Sequence, residues 1–574
     1  MPANDVAESA REDLDLWRRQ TSANFYEIDS FIRRLLQHHL GKKWAEADTL
    51  LRTVADQAGP RLDALARESN RDENLPRLRR RDEFGHRTED IVFHPSYHDA
   101  GRVFWASGVL AALSEPGNEV LAGGIAYLLD QHGEAGHACP VACTAGAIKL
   151  IKQVGSADQK HRLLPGLMSA DYDQCLRAAQ FVTEVQGGSD VGSNSCRARA
   201  DSEHKGWFRI SGEKWFCSVA DADLFVISAR MDGAPSGTSG LGLFLVPRLI
   251  DGEVNGFQLH NLKYKLGTRS MATGEIEFDD AFGEAVGDLA GGFKNLVGIV
   301  LDTSRVHNAI AACGLARRAL VEGHAYARHR RAFSNAIEVY PGVQEILARM
   351  KLSTMAALCT TFRILAMTDL VEAGRGDPEL IAARRIAVMI NKYWTAVKGT
   401  ACTRDGIELL GGNGTIEDFS VLPRLYRDSI VVESWEGTHN TLCAQVLRDF
   451  SERGLHRSWL DHLNREIGAL DHADLESHLE IARREHQEVV KRIDTLVKSD
   501  QKSASAQIRH VVDHMCRLTD WVTLATQLQW EKTTGIDTDT ADALELYRLT
   551  VLEGADPQGA PQLIELNRRF STHI

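Results

Sequence analysis

The stretch from about residue 179 to about residue 290 differs in pattern from the chain on both sides, and this change limits the possible folds. Short runs rich in aromatic and β-branched residues, such as "WFRISGEKWFCS", "ADLFVISARM" and "LGLFLVPRLI", alternate with Gly, Asp and Ser turns. Such runs separated by turn residues are typical of antiparallel strands. The middle of the chain is therefore predicted to be a β domain.

Both flanking regions carry helical periodicity. Apolar residues recur at three- and four-residue steps in "FYEIDSFIRRLLQHHL" and "RVFWASGVLAALSEP" before the β block, and in "VQEILARMKLSTMAALC" after it. One N-terminal segment, "RLRRRDEFGHRTEDIVFHPSYH", lacks periodicity, and we interpret it as a long loop with irregular turns and its arginine run as a solvated face.

The chain has 574 residues, which is too long for one core. We predict a mainly α protein with a central β domain. Its expected domains are an N-terminal helical domain over residues 1–178, an antiparallel β domain over 179–290, a helical domain over 291–450 and an additional helical extension over 451–574.

Composition and cysteine spacing argue against nucleic-acid-binding, metal-binding and membrane-spanning proteins. A formal net charge of −13 repels nucleic acid unless a local basic patch overrides it. The ten cysteines are scattered, and the closest pair, Cys139 and Cys143, lacks the second pair that a zinc site needs, so no metal site is expected. The acidic start has no apolar leader, and no apolar run of about 18 residues occurs. A cytoplasmic protein without a membrane span is predicted.

The common nucleotide, nucleophile and zinc signatures are absent. The most informative stretch is "QFVTEVQGGSDVGSN", at the junction of the first helical part and the first strands. Two hydroxyls, Thr183 and Ser189, and a Gly pair there could bring backbone N–H groups close to an anionic or carbonyl-bearing ligand. The alternative is an ordinary Gly-Ser-Asp turn.

This stretch resembles the "TE…GSD" signature of the acyl-CoA dehydrogenase family, and "SGEKWFCSVADADLFVISAR" and the later "WEGT" resemble that family too. The resemblance covers roughly residues 90 to 450 and implies an α, β-barrel, α arrangement that binds FAD. Within the family, the chain is most similar to the AidB-like (alkylation-response) subgroup, through "EKWFCSV", "LPRLYRD", "SWEGTHN", "DIVFHPSYH" and "EAGHACP".

The resemblance places Thr183 and Ser189 against FAD or the thioester, and Phe216 and Ser218 beside the isoalloxazine ring. An aromatic face suits a planar ring and a hydroxyl can bond its heteroatoms, although Phe216 is alternatively a plain core aromatic. The other FAD contacts that the resemblance implies are Ser304, Arg330, Phe333, Gly411, Gly412 and Thr438. The substrate contacts that it implies are Ser189, Arg305 and Gly437.

The family stretch that reaches the FAD of a neighbouring subunit corresponds here to "YARHRRAF". Ser334 stands where the family has Gly, Tyr340 where a glutamine is expected, and Glu408 where a glutamine is more usual. A contact across subunits implies a homo-oligomer, and we expect a homotetramer built as a dimer of dimers.

By the same resemblance, Glu436 in "SWEGTHN" is the carboxylate that removes the α-proton of an acyl-CoA thioester while the β-hydrogen leaves as hydride to FAD. Burial beside Trp435 is expected to raise the pKa of this carboxylate and strengthen it as a base. The predicted protein is an FAD-dependent acyl-CoA dehydrogenase of fatty acid metabolism. It forms the 2,3-enoyl-CoA and passes electrons to electron-transfer flavoprotein or another acceptor.

Two alternatives stay open. One is an AidB-like flavoprotein with a DNA-binding, alkylation-protection role and little turnover. Residues 451–574 carry 15 Lys and Arg against 21 Asp and Glu, a balance of −6 that disfavours binding to nucleic acid. The other alternative is an oxidase in which O₂ reoxidises the flavin.

Overall fold

The computed structural model describes residues 3–536 and 538–574. These residues divide into two compact units. Unit 1 comprises the chain up to Pro60 together with Pro116–Gly133 and Asn308–Ile574, and unit 2 comprises Arg61–Glu115 and Glu134–His307. Each unit is therefore built from stretches that are distant in sequence. The division into four consecutive domains stays a prediction.

Unit 2 contains the β domain, and one short hairpin, β12–β13, lies in unit 1. The strands are β1 Arg77–Arg81, β2 Arg87–Val92, β3 Ala178–Phe181, β4 Arg197–Ala200, β5 Trp207–Ser218, β6 Leu224–Met231, β7 Leu241–Pro247, β8 Leu249–Ile250, β9 Glu253–Val254, β10 Phe257–Leu262, β11 Thr273–Ala285, β12 Arg331–Ala332 and β13 Asn335–Ala336.

The main sheet of unit 2 closes on itself. Its strands follow the order β10-β11-β5-β4-β6-β3, and β7 pairs with both β11 and β6. Strands β11, β5, β4, β6 and β7 thus form a closed ring, which leaves these five strands without a free edge. This ring is the β-barrel that the family resemblance implied.

The direction of two strand pairs differs from the prediction. Strands β3 and β4 both run parallel to β6, whereas the other pairs of the sheet are antiparallel. The predicted antiparallel pairing is therefore wrong for the β3–β6 and β4–β6 pairs and is observed in the other pairs of the sheet. Alternating apolar residues and turns locate strands but do not give their direction, and the long connection after β3 permits a parallel partner.

Residues 77–92 of the segment predicted as an irregular loop form a β-hairpin, and its last four residues begin a helix, so that prediction is wrong. Strands β1 and β2 pair in antiparallel register, with Arg79 opposite Asp90. The arginines of β1 are exposed, as expected, and the Nη2 atom of Arg79 lies 3.1 Å from the Asp90 carboxylate. A strand made mostly of arginines lacks the apolar alternation by which strands are recognised in a sequence, so β1 was not predicted. The charge pair between Arg79 and Asp90, which supports the pairing with β2, was therefore not predicted either.

Helices account for most of unit 1 and for the flanks of the β domain, which confirms the predicted fold class, including the helical extension. They are α1 Ala3–Thr21, α2 Ser30–Leu40, α3 Trp44–Ser69, α4 Pro95–Ala106, α5 Glu119–Asp130, α6 Ala135–Val154, α7 Ala157–Leu167, α8 Gly292–Asn295, α9 Leu301–His329, α10 Pro341–Glu372, α11 Pro378–Leu410, α12 Leu422–Ser434, α13 His439–Arg453, α14 Leu455–Gly468, α15 Glu476–Lys498, α16 Gln501–Thr533, α17 Thr540–Tyr547 and α18 Gln562–Ser571.

The extension packs against the core helices of unit 1. Thr360 of α10 and Trp394 of α11 each donate a hydrogen bond of 2.7 Å to the buried carboxylate of Asp520 in α16. Helix α10 is long and apolar enough to cross a membrane by length and composition, but 72% of its apolar window is buried inside the protein. Because most of this window is buried and Thr360 bonds to Asp520 of α16, α10 is interpreted as a core helix.

Candidate active site

The segment of residues 183–190, called the 183–190 segment below, is fixed in unit 2 by a buried ion pair. The Lys214 Nζ atom lies 2.9 Å from Oε1 of Glu184, and both side chains are almost fully buried. The Glu184 carboxylate also accepts hydrogen bonds from the backbone N–H groups of Ser195 and Cys196. Burial raises the pKa of Glu184, but Lys214 and the hydrogen bonds from Ser195 and Gln186 outweigh burial and lower the pKa to about 2. Glu184 is therefore a carboxylate with a structural role.

This ion pair joins the segment to strand β5. The backbone N–H of Trp215 donates to the carbonyl oxygen of Thr183 at 2.9 Å. A Cβ atom at Gly188 would lie 2.5 Å from the Thr183 hydroxyl, so only glycine fits beside it. Ser189 follows at an exposed position. The structure thus brings Thr183, with a neighbouring stretch of accessible backbone, next to the strand that carries Phe216 and Ser218.

Phe216 projects from a β-bulge. Cys217 and Lys214 of β5 lie opposite Gly274 and Ile276 of β11, so two residues of β5 face one residue of the partner strand. The side chain of Phe216 is 53% exposed, which argues against the plain core aromatic. The ammonium of Lys263 lies 4.9 Å from the centroid of the Phe216 ring. Sequence reasoning missed Lys263, which reaches the ring from the turn after β10.

Ser304 and Arg305 lie near the start of α9 and are both buried. The side-chain amide of Gln180 in β3 donates to the Ser304 hydroxyl at 2.8 Å. This bond ties the start of α9 to the strand that leads into the 183–190 segment. Ser304 is therefore placed in unit 2 near the other predicted residues of that unit.

The predicted Arg330 joins the end of α9 to β12, and the predicted Phe333 lies in the turn of the β12–β13 hairpin of unit 1. Phe333 and Ser334 have φ angles of 51° and 71°, the positive values of a type I′ turn. Ser334 thus occupies a conformation that favours glycine, which the family has there. The Tyr340 hydroxyl donates to the Ala332 carbonyl oxygen at 2.8 Å and supports the hairpin. Arg330 is exposed, and Phe333 is 90% exposed.

The Gly411-Gly412 turn follows α11 in the same unit. Gly411 has a φ of 60°, and a Cβ atom at either glycine would meet no heavy atom within 4 Å. The side-chain amide of Asn413 donates to the hydroxyl of Tyr326, one turn before the end of α9. The structure therefore brings this open turn close to the segment that carries Arg330.

Glu436 lies in the loop of residues 435–438 between α12 and α13, called the 435–438 loop below. Its backbone has a φ of 57°, a left-handed conformation that costs a non-glycine residue about 1–2 kcal/mol. Gly437 follows with a φ of 109°. Trp435 packs against the core of unit 1, and Glu436 is partly buried. Thr438 is the N-cap residue of α13, and its hydroxyl lies 3.0 Å from that of Thr441.

The 435–438 loop is held by a lysine that sequence reasoning missed. The side chain of Lys392 in α11 is 0% exposed, and its ammonium donates to the carbonyl oxygens of Glu433 at 2.9 Å and Gly437 at 3.1 Å. These two carbonyls lie on either side of Glu436. Lys392 therefore fixes the strained turn from both sides.

A second pair spans the base of the same loop. The Nε2 atom of His439, the first residue of α13, lies 2.8 Å from a carboxylate oxygen of Glu433 near the end of α12. Burial raises the pKa of Glu433, but hydrogen bonds from His439 and Thr400 outweigh burial and hold it below its usual value. Glu433 and His439 lie on different helices, so their spacing in the sequence did not predict this contact.

The residues present suit FAD. Phe216 offers an exposed aromatic face beside the Ser218 hydroxyl, and the open Gly411-Gly412 turn admits a ligand close to the backbone. The 183–190 segment adds hydroxyls and accessible backbone.

Among the described residues, one group of side chains has metal-ligand geometry. The ligand atoms of Glu213, His260 and Glu277 lie within 4.8 Å of one another. These residues are exposed, and exposed acidic side chains commonly cluster without an ion.

Three family matches follow the chain in order. Residues 18–174 match the adaptive response protein AidB N-terminal domain, residues 179–281 the acyl-CoA dehydrogenase middle domain, and residues 290–450 the acyl-CoA dehydrogenase C-terminal domain. Together they include every predicted site residue.

Known proteins of this family are similar over most of the chain. Acyl-CoA dehydrogenase family member 11 of Caenorhabditis elegans is 31% identical over 75% of this chain and 71% of its own length. The putative acyl-CoA dehydrogenase AidB of Escherichia coli is 33% identical over 65% of this chain and 69% of its own length. The crystal structure of C. elegans ACDH-11 in complex with C11-CoA has a TM-score of 0.85 and 25% identity, and covers 92% of this chain and 90% of its own. The chain therefore belongs to the acyl-CoA dehydrogenase family, as an AidB-like member.

Proposed function

We propose that this chain is an FAD-dependent acyl-CoA dehydrogenase that converts an acyl-CoA thioester into the 2,3-enoyl-CoA. The observation that carries the proposal is the setting of Glu436, a partly buried carboxylate in a left-handed turn that Lys392 holds from both sides. Strained backbone that is held in this way is a feature of functional sites. The exposed Asp251 and Asp280 also have positive φ angles, so what distinguishes Glu436 is the buried lysine that holds its turn on both sides.

Glu436 acts as the general base. Its carboxylate takes the proton from C2 of the acyl chain, and the electron pair of that C–H bond becomes part of the new C2–C3 double bond. The hydrogen on C3 leaves with its electron pair as hydride. FAD, when bound, supplies the acceptor for that hydride at N5.

The thioester must be polarised before a carboxylate can remove its α-proton, because that proton is a very weak acid. The backbone N–H of Glu436 is the proposed donor to the thioester oxygen, as the family resemblance implies. A fixed donor stabilises the negative charge that develops on this oxygen without reorganisation during the reaction. Holding the 435–438 loop therefore fixes the base and the proposed donor together.

The substrate class and cofactor rest on the family. FAD is typical of acyl-CoA dehydrogenases, and the exposed face of Phe216, the Ser218 hydroxyl and the open Gly411-Gly412 turn suit it. The C. elegans ACDH-11 structure contains C11-CoA, which supports an acyl-CoA substrate. Ser189, Arg305 and Gly437 are the proposed substrate contacts.

The assembly and electron acceptor belong to the proposal as well. Phe333 in the turn of the β12–β13 hairpin and Arg330 just before β12 are both exposed, which suits contact with a second copy of the chain, as expected for a homotetramer. The proposed acceptor that reoxidises the flavin is electron-transfer flavoprotein or another electron carrier. The proposed role is in fatty acid metabolism, and the proposed location is the cytoplasm.

The experiment is anaerobic mixing of the purified, FAD-loaded protein with a panel of CoA thioesters of different chain length and branching. At least one thioester should bleach the flavin absorbance and yield the 2,3-enoyl-CoA by mass spectrometry. Failure of every thioester to bleach a flavin that dithionite does bleach would contradict the proposal. Mixing the bleached protein with O₂ or with electron-transfer flavoprotein then separates an oxidase from a dehydrogenase.

A second candidate function is a DNA-binding, alkylation-protection role. The match of residues 18–174 to the AidB N-terminal domain and the 33% identity with E. coli AidB favour it. The charge balance of the extension disfavours it, because phosphate binding needs a basic face. Fluorescence titration with duplex DNA at physiological salt tests it. Submicromolar affinity that is lost when residues 451–574 are deleted, in a protein that keeps its FAD, would promote this role above dehydrogenation.

A further inference from the structure

The C-terminal extension makes a polar contact with the helix that holds the catalytic loop. In α11 the residue after Lys392 is Tyr393, whose side chain is buried. The Tyr393 hydroxyl donates to the carboxylate of Asp513 in α16 at 2.5 Å and accepts from Arg509 of the same helix at 3.2 Å. Burial and the Asp513 carboxylate raise the pKa of Tyr393, so its hydroxyl stays a donor. Helix α16 thus anchors Tyr393.

Tyr393 in turn contacts the base of the 435–438 loop. Its ring meets the ring of His439 edge to face, with centroids 5.0 Å apart and an interplanar angle of 65°. His439 is bonded to Glu433 across the two ends of the loop. A continuous series of contacts therefore runs from Asp513 of the extension through Tyr393 to His439 and Glu433.

Two adjacent residues of α11 reach the loop by different routes. Lys392 binds the backbone carbonyls of Glu433 and Gly437, and Tyr393 packs on the histidine that binds the Glu433 carboxylate. A shift of α11 at this point would move both contacts at once. The anchoring of Tyr393 by α16 opposes such a shift.

We propose that the extension positions the catalytic loop: Asp513 of α16 fixes Tyr393, and Tyr393 with His439 sets the conformation of the turn that carries Glu436. This inference rests on the proposed function of Glu436 and gives the extension a part in that reaction. Tyr393, His439 and Asp513 are positioning residues, because they act through Glu433 and the loop. The contact series requires no part of the extension to touch the substrate.

The test combines hydrogen exchange with kinetics on the full-length, FAD-loaded protein. Asp513→Ala removes the acceptor for Tyr393, and Asp513→Asn restores an acceptor oxygen without the charge. Tyr393→Phe keeps the ring on His439 and removes only the hydroxyl. Glu488→Gln, which breaks an exposed pair with Arg492 on α15, is the matched control in the extension.

The amides of Trp435 and Leu442 are suitable reporters, because they donate to the carbonyls of Val431 and Thr438 at the two ends of the loop. Asp513→Ala and Tyr393→Phe should speed exchange in peptides covering residues 431–442. They should also lower the rate of flavin bleaching by about tenfold or more, since a small displacement of a catalytic group can cost about 10²-fold. Thioester affinity should change little. Asp513→Asn should recover most of both effects, and Glu488→Gln should show neither.

Exchange that rises equally throughout unit 1, or equally in Glu488→Gln, would overturn the inference and assign Asp513 a general stabilising role. Unchanged exchange over residues 431–442 in both Asp513→Ala and Tyr393→Phe would also overturn it. If wild-type protein bleaches with no thioester, the proposed function fails. The exchange measurement then still decides whether the extension holds the loop.

Discussion

The two segments that carry the predicted chemistry are held by buried lysines in different ways. In unit 2, Lys214 forms an ion pair with Glu184 at 2.9 Å and donates a longer hydrogen bond, of 3.3 Å, to the carbonyl oxygen of Val182, and so fixes the 183–190 segment. In unit 1, Lys392 binds two backbone carbonyls and so fixes the 435–438 loop. The short contact of Lys214 is with a side-chain carboxylate, whereas both of these Lys392 bonds are to backbone carbonyls on either side of Glu436 and fix the path of the backbone there. The second arrangement suits a turn whose backbone is strained.

The largest loss of stability is expected from Lys214→Met. This change leaves the Glu184 carboxylate buried without its cation, and breaking a buried pair costs about 3–5 kcal/mol. The free energy of unfolding, measured by urea titration, should fall by about that amount, and FAD uptake should weaken because the 183–190 segment loosens. Lys491→Met, in an exposed pair with Glu488, is the control and should change stability by less than about 1 kcal/mol. Equal effects of the two variants would show that the Glu184 pair does not fix the segment.

Lys392→Met is expected to cost less stability and more activity. The carbonyl oxygens of Glu433 and Gly437 lose a donor, but both residues are only partly buried and water can replace it in part, so the total cost should stay near that of one unsatisfied acceptor, about 1–3 kcal/mol. The rate of flavin bleaching should fall as well, because the turn that carries Glu436 relaxes. Lys398→Met on the same helix removes an ammonium that lies 4.5 Å from the Trp394 ring centroid and should leave the bleaching rate nearly unchanged. A Lys392→Met protein that bleaches at the wild-type rate would show that the Lys392 bonds to the 435–438 loop are not needed to position Glu436.

Stability should depend on pH through Glu184. Its pKa is lowered from 4.5 to about 2 in the folded protein. A carboxyl group with a lowered pKa stabilises the fold above its unfolded pKa, and this contribution is lost as the pH falls toward the folded pKa. The free energy of unfolding of wild type should therefore fall between about pH 4.5 and about pH 2 by more than that of Glu184→Gln. Parallel curves for the two proteins would remove Glu184 as the cause.

The smallest effect is expected at Phe216. Phe216→Leu keeps an apolar side chain but removes the aromatic face, and stacking contributes about 0.5–1.5 kcal/mol beyond burial. FAD affinity, measured by calorimetry, should fall by a factor of several while stability stays unchanged, because the side chain is 53% exposed. Unchanged FAD affinity would place the flavin elsewhere.

The sequence predicted the α, β, α order because apolar periodicity and turn residues are local properties. It did not predict the β1–β2 hairpin, whose first strand is built from arginines, or the parallel pairs of β6, because strand direction depends on connections between distant segments. The bulge that exposes Phe216 depends on the register of β5 with β11, which the sequence does not specify, so it was not predicted either.

The candidate site shows the same limit. The resemblance identified Glu436 and the predicted FAD contacts through short motifs. Lys392 and Tyr393 lie in a long helix that reads as an ordinary core helix, and only the fold places their side chains at the 435–438 loop. Motifs therefore identified the residues proposed to contact ligands, and the structure was needed for the residues that hold them.

The most direct test of Glu436 as general base is rapid mixing of wild type and Glu436→Gln with the thioester that bleaches the flavin best. Glutamine keeps the size and most of the hydrogen-bonding capacity of the side chain but not its basicity. Folding, FAD content and thioester binding should persist, while the bleaching rate falls by at least the roughly 10²–10⁴-fold typical of losing a general base. A Glu436→Gln protein that bleaches within about threefold of wild type would contradict the account and mean that another residue takes the proton.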